Sequence, residues 1–274
     1  MSAKPRKRTT TARRRRRRGR RTPWYRATQP SFLTIGVVAL ALAGAVYVWP
    51  DVRGRLMPAD RPAGHVPAAA ALPQAVPPAP TDRGSRPSDT YRTWARGLSG
   101  KLDIPAVALQ AYAYAQVTTA RTHPHCHLSW TLLAGIGRIE SNHGRYGGAT
   151  LRADGTSSPR IVGVPLNGGP GLMTISDTDN GRIDGDRRYD RAVGPMQFIP
   201  STWARSGVDG DGDGRADPFD IDDASMAAAR YLCAGGRDVS TSQGWSQAVL
   251  SYNHTGEYLR SVYGYADGYA RASV

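Results

Sequence analysis

The 274 residues contain only two cysteines, Cys126 and Cys233. Two thiols are too few to make a zinc site on their own, and outside the cytoplasm such a pair is expected to form one disulfide. Acidic residues are missing from residues 1–26, which hold 13 Lys or Arg. The rest of the chain carries 23 basic against 22 acidic residues, so the formal charge of +14 belongs to a tail. A strongly basic protein suggests nucleic acid only when the excess lies on the folded part. Here it does not, and no nucleic-acid partner is expected. Internal repeats are absent and strand signals are weak.

What is present is ordered along the chain. Arg13 to Arg18 form an unbroken run of like charge, which repels itself and cannot build a core. Residues 31–49 carry no charge and lie between Pro30 and Pro50. As a helix they would span roughly 30 Å, the thickness of a bilayer core. Trp24 and Tyr25 on one side, and Tyr47 and Trp49 on the other, suit the two interfaces. The positive-inside rule then predicts a single-pass anchor with residues 1–30 in the cytoplasm and everything after Pro50 outside. A cleaved signal peptide is the rival reading, but the run is long for one. Residues 50–88 read as a linker, with eight prolines between Pro58 and Pro87. In polyproline II such a segment reaches on the order of 100 Å. Residues 89–270 have the size and apolar content of one domain, expected to be monomeric.

The pattern of that domain predicts a mainly α fold. Asp103 reads as the cap of a helix through Leu109 and Tyr112, with Pro105 in its first turn. Ser129 reads as the cap of a second, through Leu132, Leu133, Ile136 and Ile139 to Gly144. A third is expected over 224–233, a fourth over 247–252, and a short one near Tyr258. Between the second and third lies a long stretch rich in Gly, Asp and Pro, from about 145 to 222, with room for a small hairpin. So long an irregular stretch in a compact domain is usually functional.

Glu140 carries the most information. It lies four residues after Ile136 and seven after Leu133, on the same helical face as the apolar stripe. A carboxyl there is costly unless paired or neutral, and burial raises its pKa into the range of a general acid. The competing reading is a stripe-edge Glu paired with Arg138 or a nearby Arg. In the segment 193–203, Gln197 offers an amide to hydrogen-bond a sugar and Trp203 an aromatic face to stack on one.

Asp209, Asp211 and Asp213, with Gly214 next, match the opening of an EF-hand calcium loop, and Arg215 would add its backbone carbonyl. The twelfth position is Asp220, not Glu. Asp177, Asp179 and Gly181 form a poorer echo. His123, His125, His127 and His143 lack an acid or second Cys at zinc spacing and read as turn residues.

Six ordered segments carry a resemblance: IPAVALQAYAYA at 104–115, LLAGIGRIESNHG at 132–144, RAVGPMQFIPSTW at 191–203, DGDGDGRADPFDIDDA at 209–224, AAARYLCAGG at 227–236 and SYNH at 251–254. Over about residues 100–265 the chain resembles the lytic murein transglycosylases of the B type, in the membrane-bound form of actinobacterial walls. The resemblance implies a lysozyme-like domain that cleaves the MurNAc–GlcNAc β-1,4 bond of peptidoglycan without water, leaving 1,6-anhydro-MurNAc ends. It places the catalytic acid, later the base, on Glu140, and sugar contacts on Gln197, Tyr231, Tyr252 and Asn253. The calcium loop of that family is longer and closes on Asp223. Where some relatives carry a Ser nine residues before the Gln, this chain has Arg188, so the hydroxyl expected near the Glu must be absent or come from another residue. Two alternatives remain open. One is a muramidase using water and a second carboxylate among Asp177, Asp179, Asp184, Asp186 and Asp190. The other is a wall-binding module without cleavage.

Overall fold

The computed structural model describes residues 65–67, 69–73 and 86–274. The basic tail, the expected span at 31–49 and most of the linker lie outside the described residues. Among the described residues no helix is long and apolar enough to cross a membrane.

Among the described residues seven α-helices make up most of the domain: α1 Arg92–Leu102, α2 Ala106–Thr122, α3 Trp130–Ser141, α4 Pro200–Ser206, α5 Ile221–Leu232, α6 Ser242–Tyr252 and α7 Gly256–Ala272. Between α3 and α4 run four short strands, β1 Thr150–Leu151, β2 Ser157–Ser158, β3 Val162–Pro165 and β4 Arg191–Val193. They form two antiparallel ribbons, β1–β2 and β3–β4. The mainly α reading therefore holds, and the long irregular stretch contains two ribbons and one helix.

Helix α3 is the axis of the domain. Ser129 caps it, its Oγ accepting from the Leu132 N–H, as the sequence predicts. Ten of its twelve residues are buried, so it is enclosed on every side and is not amphipathic. Its most extensive partner is α7. The approach is close because Gly135 has no side chain: a Cβ there would sit 2.9 Å from the Val262 carbonyl oxygen. Helix α2 packs mainly on α5. The disulfide Cys126–Cys233 joins the loop before α3 to the end of α5.

Three expectations need correction. Asp103 does not cap α2. It ends α1 in a left-handed conformation, φ 53°, and its carboxylate takes Arg138 and Arg145. The short helix near Tyr258 is in fact the 17-residue α7, whose Thr255 cap accepts from the Tyr258 N–H. The domain also begins before residue 89. Arg86 is buried, pairing with Asp222 at 2.6 Å and donating to the Gln110 side chain and the Val107 carbonyl. Further back, Ala70 is buried in the core with Val66 and Leu72 packed against it. Apolar contact and a buried ion pair thus fix parts of the segment read as a free spacer.

Candidate active site

Helix α3 ends on Glu140 and Ser141, and tertiary contacts build the site around that end. The Ser141 hydroxyl donates to the Pro195 carbonyl at 2.6 Å and accepts from the Gly144 N–H, tying the helix end to the turn 194–197. That turn requires glycine at 194, where φ is 75° and a Cβ would collide with the Pro218 carbonyl. Gln197 is itself held at φ 51°, a costly conformation for a residue with a side chain, and such strain concentrates at functional positions.

Glu140 is 5 % exposed and has no ion pair among the described residues. Arg138, its expected partner in the competing reading, is committed to Asp103 and Asn142. The Tyr258 hydroxyl donates to Glu140 Oε1 at 2.5 Å, and Oε2 is buried with no hydrogen-bond partner among the described residues. Burial raises the Glu140 pKa from 4.5 to about 8, against the opposing Tyr258 hydrogen bond. No charged neighbour contributes to that shift. The acid is therefore mostly protonated at neutral pH, and one of its oxygens is uncommitted.

The other predicted residues divide. Gln197 is buried, its Nε2 donating to the Gly194 carbonyl while Oε1 has no partner among the described residues. Tyr231 is half-buried and donates to the Ser251 carbonyl at 2.7 Å. Asn253 is buried directly after α6. Tyr252 is wholly enclosed between Tyr231 and Phe198, and its hydroxyl donates to the Met196 carbonyl at 2.8 Å. It supports the Gln197 turn and presents no free hydroxyl to a ligand. Trp203 likewise packs edge-on against Phe198, 6 % exposed, and is not a stacking platform. Tyr258 is the residue the sequence reading missed. Burial and the neighbouring Glu140 push its own pKa well up, so it stays a donor. The hydroxyl expected near the acid thus comes from α7, while Arg188 is exposed and lies over the Tyr189 ring.

The carboxylates considered for a water-using reaction are taken up by their own loop. Asp190 accepts from the Thr178 N–H and hydroxyl, Asp184 from the Asp186 and Arg191 N–H groups, and Asp186 pairs with Arg191. Asp177 and Asp179 accept from backbone N–H groups between 179 and 183.

In the Asp-rich loop, oxygens of Asp209, Asp211 and Asp223 lie within 4.8 Å of one another. Asp213 stays outside this group, accepting from the Arg215 N–H, and Asp220 caps α5. Asp223 also accepts from the Gly210 and Asp217 N–H groups, which folds the loop onto the start of α5. The echo behaves similarly, with Asp177, Asp179 and Asp190 oxygens equally close. Neither group contains a histidine. His123 and His125 are exposed, and His127 bonds Asp238. His143 departs from the turn reading: it is wholly buried between the hydroxyls of Tyr112 and Tyr269, and burial lowers its pKa well below 6.5.

Comparison with known proteins adds the following. The family model described as Transglycosylase SLT domain matches residues 188–254, a span that includes Gln197, Tyr231, Tyr252 and Asn253 but not Glu140. Among curated proteins none matches. The Escherichia coli lytic transglycosylase Slt35 in complex with bulgecin A is similar at a TM-score of 0.41 and 14% identity, over 70% of this chain and 81% of that one. SltB3 from Pseudomonas aeruginosa in complex with NAG-anhNAM-pentapeptide is similar at 0.26 and 24% identity, over 58% of this chain and 43% of that one. Both TM-scores are below 0.5, so neither likeness bears on the geometry described above. Residues 188–254, about a quarter of the chain, are therefore similar to the transglycosylase SLT domain.

Proposed function

We propose that this chain cleaves the MurNAc–GlcNAc β-1,4 bond of peptidoglycan by intramolecular transglycosylation, in a lysozyme-like domain with Glu140 as its single acid and base. The observation that carries the reading is the Glu140 carboxyl: buried, without an ion pair, its pKa raised to about 8 and its Oε2 unpartnered. A protonated acid donates to the glycosidic oxygen as the bond from the anomeric carbon breaks, and GlcNAc leaves as an alcohol. The N-acetyl group stabilises the positive charge on the muramyl carbon. The Glu140 carboxylate then takes the proton of the same sugar's 6-hydroxyl as that oxygen closes on the anomeric carbon. The ring product is 1,6-anhydro-MurNAc, and Glu140 is again protonated. Gln197 Oε1, Tyr231 and Asn253 are the proposed sugar contacts, with Tyr252 beneath them. Mass spectrometry of digested peptidoglycan tests the reading. Anhydro-muropeptides are expected; reducing ends would establish hydrolysis instead, and intact glycan with retained binding a wall-binding module.

Tyr258 sets the working range of the acid. Its hydrogen bond favours the carboxylate, so Tyr258→Phe raises the Glu140 pKa further. The falling alkaline limb of the rate profile is expected to move up by about one pH unit, the equivalent of one modest hydrogen bond. A limb that stays in place while turnover drops would reduce Tyr258 to packing.

Calcium is the proposed structural ion. Asp209, Asp211 and Asp223 fit it by their hard oxygen donors and mutual proximity, while Asp213 lies outside the group and holds the turn through the Arg215 N–H. It would clamp the loop 209–223 to the start of α5. Titrating calcium is expected to raise the melting temperature, and Asp223→Asn to remove most of that rise. A melting curve indifferent to calcium would end this assignment. The chain is proposed to act as a monomer outside the cell membrane, held by a single-pass helix over 31–49 with its N-terminus in the cytoplasm.

A further inference from the structure

The β3–β4 ribbon borders a cavity of about 540 Å³ that the proposed chemistry does not use. Val162, Asp184, Gly185, Asp186, Arg187, Arg188 and Arg191 line it. The volume is within the roughly 300–1,000 Å³ of ligand sites.

Its charges are unevenly satisfied. Asp184 accepts from two backbone N–H groups. Asp186 accepts from the Arg188 and Tyr189 N–H groups and pairs with Arg191 at 2.8 Å. Arg191 also donates to the Gly163 carbonyl. Both acids and one arginine are therefore spent on the fold. Arg187 and Arg188 are exposed, and neither guanidinium has an ion pair among the described residues. Both line the cavity, Arg188 over the Tyr189 ring, and exposed guanidinium groups without an ion pair suit an oxyanion. Gly185 leaves open space where a side chain would stand, so an extended backbone can lie against it.

The cavity is also joined to the candidate active site. Val162 on its wall pairs with Val193, and the next residue, Gly194, donates to the Ile161 carbonyl and accepts from the Gln197 side chain. A ligand in the cavity and a sugar at Gln197 would thus both be held by this one short ribbon.

We propose that this cavity binds the peptide carried by the glycan, with Arg187 and Arg188 taking its carboxylate. The proposal rests on the peptidoglycan reading. A peptide is favoured over a phosphate polymer because Asp184, on the lining and without a cationic partner among the described residues, disfavours a dense polyanion, whereas a peptide spaces its carboxylates with amides.

The test uses the full-length chain carrying Glu140→Gln, so that binding is read apart from cleavage. The probe is a free stem tetrapeptide, compared with the same peptide amidated at its carboxylates and with inorganic phosphate. Arg187→Ala/Arg188→Ala is expected to weaken binding of the free peptide by about tenfold or more, the scale of one to two charge-assisted hydrogen bonds, with an unchanged melting temperature. In the chain with Glu140 intact, the same pair of changes should lower kcat/KM more on peptide-bearing than on peptide-free glycan. Undiminished peptide binding by the double variant overturns the proposal, as does equal binding of the amidated peptide. Displacement by phosphate as readily as by peptide would reduce the cavity to a generic anion site. Retained cleavage by Glu140→Gln would instead sink the catalytic reading and leave the peptide result to stand or fall alone.

Discussion

Glu140→Gln is expected to lower release of anhydro-muropeptides by about 10²–10⁴-fold, the usual worth of a positioned general acid and base. The amide keeps the shape and still accepts from Tyr258, but it has no proton to give. Activity of the parent should fall as pH rises through about 8, because the acid must be protonated to start the reaction. The substitution has the opposite effect on stability. The folded pKa is raised above 4.5, so between pH 4.5 and about 8 the unfolded chain holds fewer protons and the native state loses stability as pH rises. Removing the ionisation removes that loss. Glu140→Gln should therefore melt above the parent at pH 8, with the difference shrinking toward pH 4.5. Parent-like turnover would eliminate Glu140 as the catalyst, and a lower melting temperature at pH 8 would show that its burial is not costly.

The second large effect concerns the disulfide. Cys126 and Cys233 are 107 residues apart, and opening a loop of about that length should cost close to ~5 kcal/mol in the chain-entropy description. The lost constraint lies between the entry to α3 and the exit of α5. The Val239 N–H also donates to the Cys126 carbonyl there, so the loop after α5 is expected to loosen as well. Cys126→Ser/Cys233→Ser in a urea titration should move the midpoint well down, and the reduced parent should fall on the same curve. A midpoint shared by oxidised parent and double variant would mean that the bridge stabilises nothing.

The sequence was most legible where the physics is local. Ser129 was readable as a cap because its partner, Leu132, is three residues away. The cysteine pair was readable by counting, and the opening of the Asp loop because alternate carboxylates turn the backbone beside them. Local signals also misled. Asp103 looks like a cap ahead of Pro105, but two arginines on and after α3 outcompete that role, and they lie 35 and 42 residues away. Trp203 and Tyr252 have the chemistry of sugar contacts, yet enclosure and committed partners give them to the core.

By itself the sequence determined the helical class of the domain, the pairing of its cysteines and a suspect carboxyl on α3. Only the tertiary structure decided that Arg138 turns away from Glu140, that α7 brings Tyr258 to it from 118 residues on, and that one of its oxygens is left free. The reason is that a pKa and an uncommitted oxygen belong to an environment. Periodicity can put a residue on a buried face, but the neighbours that pair with it or leave it alone come from other helices, at separations that no local pattern encodes.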